Sequence, residues 1–277
     1  MGAPALSSVV VVATAAVVCL CGAFAQAQDM DSEWARPAYR GFFGAPAGSL
    51  LPQSDVDLLE FPLNLEYLET EFFCWSALGA IKQTVRGFPR PLLDISAANF
   101  GKIIEQALNA TLDPPFDPYE NSLNFLVASY IIPYVGLTGY VGANPRLLTP
   151  QARKLLAGLL AVESAQDAVI RTLLYERGMA RVPSYAGGVA EITARISDLR
   201  NSLGRRGVKD EGLVVAPELG PEGLTVGNII AGDHLSLAYD RTPEEILGIV
   251  YGTGNSAQHG GFFPQGADGR IARGLLA

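Results

Sequence analysis

Four side chains that could ligate a metal or exchange a proton fall on or beside the core-facing stripes of two predicted helices, where the two acids of the first helix border the core or reach solvent. They are Glu66 and Glu69 on the first helix, and Glu163 and Gln166 on the second. A carboxylate at such a position is costly to bury unless it is hydrogen-bonded, paired with a cation or bound to a metal. Acidic side chains that project inward from neighbouring helices are also the ligands from which four-helix bundles build di-iron sites. The pattern therefore raises the hypothesis of a carboxylate-bridged metal centre.

The elements that must position these side chains are predicted from apolar residues spaced three and four apart. The first helix runs from Ser54 to about Leu78 and is loosened at Pro62, because proline removes one backbone donor. The second helix runs from Pro150 to Arg177 and is ended by Gly178. Its acid and amide lie in line with leucines, so we expect both at the core of a bundle spanning residues 54–178.

The first helix has no obvious end. Leu78, Ile81 and Val85 keep helical spacing across Gly79, and no turn residues interrupt the run. A glycine costs a helix only about 1 kcal/mol relative to alanine, less than packing can return. The spacing therefore predicts one continuous helix from about Asp55 to Arg86.

The stretch from Asn121 to Asn144 contains no charged residue and is long enough to cross a membrane. It also contains Asn124, Pro133 and a ridge of small residues, which are typical of a helix packed against other helices. The ridge consists of Gly136, Gly139 and Gly142. A buried central bundle helix is the favoured interpretation, so we expect no stable membrane span. Release by carbonate washing distinguishes it from the membrane-associated alternative.

The ligand set for a di-iron centre is incomplete. Such a site needs roughly four acids and two histidines from four helices, with acid and histidine three residues apart. Glu66 could be the single acid of one helix, whereas Gln166 stands three residues after Glu163, where a histidine is expected. The two histidines, His234 and His259, both lie in the C-terminal part of the chain. A hydrogen-bonded polar layer that sets the bundle register, or exposure at a groove, explains the same residues without a metal.

Composition and charge narrow the classes of function. With 277 residues, 49% of them apolar and 17% charged, the chain is globular rather than disordered. Its net charge of −8, with no basic run longer than Arg205-Arg206, argues against nucleic acid as a partner. There is no Gly-x-Ser-x-Gly elbow, and Cys74 stands between two aromatic residues, where it is expected to be a packing residue. A hydrolase is therefore not indicated.

The N-terminal residues read as a secretory signal peptide. Val9 to Ala25 is apolar and free of charge, and small residues follow it before the first acid at Asp29. We expect cleavage near Ala25 or Ala27, which assigns residues 1–27 to the signal peptide and the mature chain to the extracellular space, in the apoplast or cell wall. An uncleaved membrane anchor is the alternative.

A secreted chain can be glycosylated at an accessible sequon. The sequence contains one, Asn109-Ala110-Thr111, just ahead of a proline-rich loop. We therefore predict Asn109 as a glycosylation site.

Beyond Gly178 the composition shifts towards glycine and proline, with only short helical patterns from Ala190 to Leu203 and from Thr242 to Gly252. Residues 179–277 are predicted as an extension of loops, short helices and short strands that packs on the bundle.

Several long runs of this sequence resemble the plant desiccation-related proteins that carry a ferritin-like domain. They are Ser54 to Glu69, Leu112 to Tyr119, Tyr130 to Asn144, Glu163 to Arg177, Gly207 to Pro217 and Tyr251 to Pro264. The resemblance covers nearly all of the mature chain. It implies a ferritin-like bundle, a secreted plant protein and a link to dehydration or other stress, but no defined reaction.

The chain departs from that family at one place. The resemblance implies that members of the family carry some tens of additional residues between Gly79 and Ala80. This block completes the first helix and starts a second one that holds an acid and a histidine. A splice form, a truncated gene product and a gene-model error all give this pattern. Each core side chain left uncovered forfeits about 1.5–3 kcal/mol, against a total stability of about 5–15 kcal/mol. We therefore expect marginal folding or a homodimer.

Taken together, the residues and the resemblance predict an all-α, ferritin-like helical bundle that lacks most of one helix. The expected function is that of a secreted stress protein that acts without a cofactor, by binding or by protecting surfaces during water loss. The alternative is an iron-binding protein or oxidase that uses Glu66 and Glu163.

Overall fold

The fold was analysed in a computed structural model, which describes residues 51–73, 81–82, 84–182, 185, 187–219 and 226–276. The predicted signal peptide and Cys74 lie outside these residues. The helices are α1 (Gln53–Glu60), α2 (Leu63–Phe73), α3 (Ala97–Leu108), α4 (Ser122–Ser129), α5 (Pro133–Ala143), α6 (Pro150–Tyr175), α7 (Val189–Gly204), α8 (Pro243–Val250) and α9 (Arg270–Gly274). Short 3₁₀ turns follow at Asn144–Arg146 and Pro217–Leu219. The all-α prediction is confirmed.

The short strands expected in the C-terminal extension are not formed within the described residues. Three isolated bridges stand in their place: Arg181 with Gly188, Val214 with Gly227 and Gly260 with Phe263. Each bridge includes a glycine, which contributes no side chain to a sheet face, so pairing does not extend. The extension instead shares one apolar core with the bundle, which runs from Phe61 to Ala272.

A break at Pro62 separates α1 from α2, as the missing backbone donor predicts. The Asn64 side chain fixes this break. Its amide nitrogen donates to Phe61 O at 3.0 Å and to Asp268 O at 2.8 Å, and its oxygen accepts from Asp268 N at 2.8 Å. The bend is thus held by the C-terminal end of the chain.

The prediction of a continuous helix from Asp55 to Arg86 is wrong. Gly87 N donates to Glu60 Oε1 at 3.0 Å, whereas 27 residues of helix would separate these residues by about 40 Å. Tyr67 Oη likewise donates to Phe88 O at 2.8 Å. Residues 81–82 and 84–88 therefore lie back along α1 and α2. Packed this way, the apolar residues that suggested continuation, Ile81 and Val85, are buried against the bundle instead of extending past its end.

The uncharged stretch forms two helices, because Pro133 cannot continue α4 and instead begins α5. Ser122–Arg146 is the one span in the described part of the chain that is long and apolar enough to cross a membrane, yet 72% of its most apolar window is buried inside the protein. This burial favours the interpretation of a central bundle helix.

The glycines of α5 permit close approach on several sides. A Cβ added at Gly136 would lie 3.0 Å from Glu163 Oε1, and one at Gly142 would lie 2.4 Å from Arg241 O. The small residues thus admit a carboxylate from α6 and the backbone that leads into α8.

We predict that Gly142→Ala destabilises the protein by about 1–3 kcal/mol, because the added methyl group has no room beside Arg241. Gly158→Ala on α6 is the matched control. Its methyl group meets nothing within 4 Å, so the helix preference of alanine should raise stability by about 0.5–1 kcal/mol. Urea unfolding of both variants measures the difference, and equal stabilities would contradict the packing argument.

Candidate functional site

The three glutamates singled out by sequence meet in the bundle core. Glu66 and Glu69 come from α2 and Glu163 from α6, and their exposed fractions are 2%, 1% and 4%. Tyr140 on α5 completes the group, and its hydroxyl donates to Glu66 Oε1. We call these four residues the glutamate cluster.

Two acids of the glutamate cluster bond to each other. The carboxyl groups of Glu69 and Glu163 are close enough to share a hydrogen bond. Burial, and then the charges of Glu69 and Glu66, raise the pKa of Glu163 well above its usual value. Burial and then Glu66 also raise the pKa of Glu69, although the bond from Glu163 opposes this. The cluster therefore binds protons more tightly than free glutamates do.

The pKa of Tyr140 is shifted by the same surroundings. Burial, followed by the charges of Glu66 and Glu163, raises the pKa of Tyr140 well above its usual value. It remains a neutral hydroxyl that donates a hydrogen bond. Glu69 Oε1 and Glu163 Oε2 are buried without a hydrogen-bond partner.

Gln166 lies off the buried stripe of α6. The stripe passes through Glu163, Asp167 and Arg171, one turn apart, whereas Gln166 is only half-buried. Gln166 was expected at the core because it is in line with leucines of α6. The buried face of α6 is narrower than this spacing of leucines suggested.

The residues of the cluster do not fit the donor set of a di-iron centre. Three carboxylates converge without an imidazole among them. Among the described residues, no group of three or more His, Cys, Asp or Glu side chains has the geometry to hold a metal ion. His259 bonds to Pro264 O at 2.8 Å near the surface, and His234 is exposed on a loop. Residues 74–80 contain neither an acid nor a histidine.

A second buried polar group was missed at the sequence level. Asp210, from the extension, lies between Arg171 of α6 and Arg200 of α7. Its Oδ1 is 3.2 Å from Arg171 Nη2 and accepts from Ser197 Oγ at 2.8 Å. Arg171 Nε also bonds to Asp167 Oδ2 at 2.7 Å. We call this set the aspartate–arginine network. Its four-residue Asp167–Arg171 spacing was visible in the sequence, but nothing there linked the loop residue Asp210 to it.

The aspartate–arginine network holds Asp210 ionised. Burial alone would raise the pKa of Asp210, but Arg200, Arg171 and Arg241 outweigh burial and lower it. For Asp167, burial prevails over Arg171, and its pKa is raised. The guanidinium groups also face the ring of Tyr130, at 5.0 Å from Arg171 and 4.5 Å from Arg200.

Helices that direct carboxylates into one core define the class of ferritin-like bundles. Residues 54–176 match the ferritin-like domain family. The chain is 48% identical to the desiccation-related protein PCC13-62 of Craterostigma plantagineum, covering 79% of this chain and 85% of that protein. It is 46% identical to the ferritin-like catalase Nec2 of Nesocodon mauritianus, covering 81% and 86%. The chain thus belongs to the desiccation-related family of ferritin-like proteins. No solved structure matches it.

The alignment also gives the number of positions of a relative that this chain lacks. It extends over 265 positions of the Craterostigma protein, whereas 79% of the 277 residues of this chain is about 219. About 46 positions of the relative therefore have no counterpart here. This number agrees with the block of some tens of residues that the resemblance implied.

We predict that Asp210→Asn costs about 3–5 kcal/mol, because it leaves Arg171 and Arg200 buried without a full counter-charge. Urea unfolding measures the loss. Asp198→Asn, an exposed aspartate on α7, is the control and should change stability by no more than about 0.5 kcal/mol. A small effect of Asp210→Asn would show that the network is not needed for stability.

We predict that Glu163→Gln leaves stability at neutral pH unchanged or raises it by up to about 2 kcal/mol. Because the pKa of Glu163 is raised, its contribution is fully present below the unfolded value of 4.5 and is lost as pH rises towards the folded value. The variant should therefore lose less stability than the parent between pH 4.5 and 7. Urea unfolding across that window, with exposed Glu244→Gln as control, tests the sign.

Proposed function

We propose that this protein is an extracellular stress protein that acts without a metal, by binding or covering other surfaces during water loss. The observation that carries the proposal is the internal bonding of the glutamate cluster. Tyr140 donates to Glu66, and burial together with the charges of Glu69 and Glu66 raises the pKa of Glu163, so the acids of the cluster have partners within the core. This is the polar layer that fixes helix register.

Membership of the family supports the proposed role during water loss. One relative is named for desiccation, and the net charge of −8 favours a soluble, well-hydrated surface. Ferritin-like architecture by itself supplies no reaction, since function depends on the site rather than on the fold.

The second candidate is a metal-dependent activity centred on Glu66 and Glu163. It is favoured by the convergence of three buried glutamates and by the relative that is named a ferritin-like catalase. Iron binding, oxidase activity or peroxide breakdown would then depend on donors beyond the glutamate cluster.

Metal loading separates the two candidates. The protein is exposed to Fe²⁺ or Mn²⁺, desalted and measured by elemental analysis, beside Glu163→Gln and the exposed control Glu244→Gln. We expect less than one bound metal per chain in all three and no peroxide consumption, because too few donors face a common point. Two metals per chain that are lost only in Glu163→Gln would establish the second candidate.

Secretion is proposed from the apolar leader and from the sequon. Asn109, Ala110 and Thr111 are all exposed, and Asn109 ends α3 in a left-handed conformation where the chain leaves the helix. We expect a mature N-terminus near residue 28 and a glycan that Asn109→Gln removes. N-terminal sequencing and intact mass of protein from a plant secreting host test this, and an unprocessed Met1 in the membrane fraction would contradict it.

A further inference from the structure

Asp268 and Gly269 form the only Asp-Gly or Asn-Gly pair in the sequence. Gly269 is buried at the N-terminal cap of α9, and the side chain of Asp268 is half-buried. In an Asp-Gly pair the backbone nitrogen of the glycine can attack the carboxyl carbon of the aspartate, because no side chain on the glycine blocks the approach. The product is a five-membered succinimide ring. In a folded chain this reaction depends on where the carboxyl group is held.

The carboxyl group of Asp268 is folded over the peptide bond that takes part in this reaction. Gly269 N donates to Asp268 Oδ1 at 2.7 Å, so the carboxyl carbon is held close to the attacking nitrogen. Four other aspartates bond instead to a backbone N–H two residues further on, which directs their carboxyl groups past the adjacent nitrogen. They are Asp94, Asp117, Asp210 and Asp233, bonded to Ser96, Tyr119, Gly212 and Leu235.

Two hydrogen bonds to Asn64 hold the same peptide bond in place. Asp268 N donates to Asn64 Oδ1, and Asn64 Nδ2 donates to Asp268 O, both at 2.8 Å. Ring closure requires Gly269 N to lose its proton, and the resulting negative charge is shared with Asp268 O. The Asn64 amide therefore donates to the atom on which charge develops, which favours the attack. The reacting groups are also brought together before the reaction begins.

The fold requires glycine at position 269. Its φ is +90°, a conformation that other residues rarely adopt. A Cβ at this position would also lie 3.0 Å from Phe88 Cε1. A larger residue that would slow the ring closure is therefore excluded by the backbone and by the packing.

We propose that Asp268 is a site of spontaneous covalent modification, at which the chain forms a succinimide and then isoaspartate. Gly269 N bonds to Asp268 Cγ and a carboxyl C–O bond breaks. The departing oxygen leaves as water with the amide proton and the carboxyl proton. Water later opens the ring, either at Cγ to return aspartate or at the backbone carbonyl to give isoaspartate. The modification goes beyond the proposed function and does not depend on it.

The ion pair with Arg273 slows the ring closure. Arg273 Nε lies 2.7 Å from Asp268 Oδ1 and pairs with the charged carboxylate, whose oxygen is a poorer leaving group than that of the acid. Because the side chain of Arg273 is 66% exposed, the pair is weak and does not prevent the reaction. Water is a product of ring closure, so drying favours the succinimide and rewetting opens it.

Peptide mapping by mass spectrometry tests the site. The purified full chain is dried, rehydrated and digested, and isoaspartate is detected by enzymatic methylation. We expect the peptide with Asp268 to lose the mass of one water on drying and to contain isoaspartate after rehydration, while the peptide with Asp233 stays unmodified. Asp268→Glu should lose the signal, because its ring would need one more atom. Equal modification of the Asp268 and Asp233 peptides in the parent chain would overturn the proposal.

Substitution of Arg273 tests the geometry around the carboxyl group. Arg273→Ala should raise the rate of isoaspartate formation by up to about fivefold, which corresponds to the weak energy of an exposed ion pair. Arg270→Ala is the control, because exposed Arg270 pairs with Asp57 instead and the rate should not change. Circular dichroism confirms that the variants remain folded. A rate in Arg273→Ala equal to that of the parent chain would contradict the arrangement on which the proposal rests.

The modification should also weaken the bend at Pro62. Isoaspartate adds one carbon to the backbone, so Asp268 N and Asp268 O can no longer both meet Asn64. Chain enriched in isoaspartate by repeated drying should therefore unfold at a lower urea concentration than untreated chain. Asp268→Glu, dried in parallel, should show no such shift. A shift of the same size in both chains would assign the loss to drying itself and contradict the proposal.

Discussion

The carboxylate of Asp210 is the interaction on which the arrangement of the chain depends. The described residues between α7 and α8, 205–219 and 226–242, form only a short 3₁₀ turn and an isolated bridge, so no sheet or long helix among them holds this segment in place. Asp210 instead brings this segment against α6 and α7 through Arg171 and Arg200. A buried ion is tolerated only where opposite charges and hydrogen bonds surround it. That requirement fixes the position of the segment more sharply than apolar contact could.

The same network supports the break in the central helix. Arg200, held by Asp210, donates from Nη1 to the carbonyl oxygens of Tyr130 and Ile131, just before Pro133. These carbonyls lie at the end of α4, where the last carbonyls of a helix lack donors within the helix. One anion from the extension thus helps to satisfy the backbone of the bundle core. The bundle and the extension are for this reason coupled in stability.

Sequence reasoning succeeded where a local signal sufficed. Proline and threonine start signals placed α6 and α8, and the break at Pro62 followed from one missing donor. It failed where two distant segments decide the outcome together. Ile81 and Val85 have the same spacing whether the helix continues or folds back, and only contacts such as Glu60 with Gly87 distinguish the two. The inward position of Glu163 was expected from its helical face, and Glu66 and Glu69 were expected to border the core, but Asp210 lies in a loop without periodicity.

The bundle keeps a shared apolar core although about 46 positions of the Craterostigma relative have no counterpart here. Residues 81–82 and 84–88 nevertheless pack back on the first helices, held by Glu60 and Tyr67. Packing of this kind needs only apolar surface and a few backbone bonds, whereas a dinuclear site needs every ligand. A bundle of this kind can therefore keep its core without a complete ligand set, because the buried acids bind protons more tightly than free glutamates do.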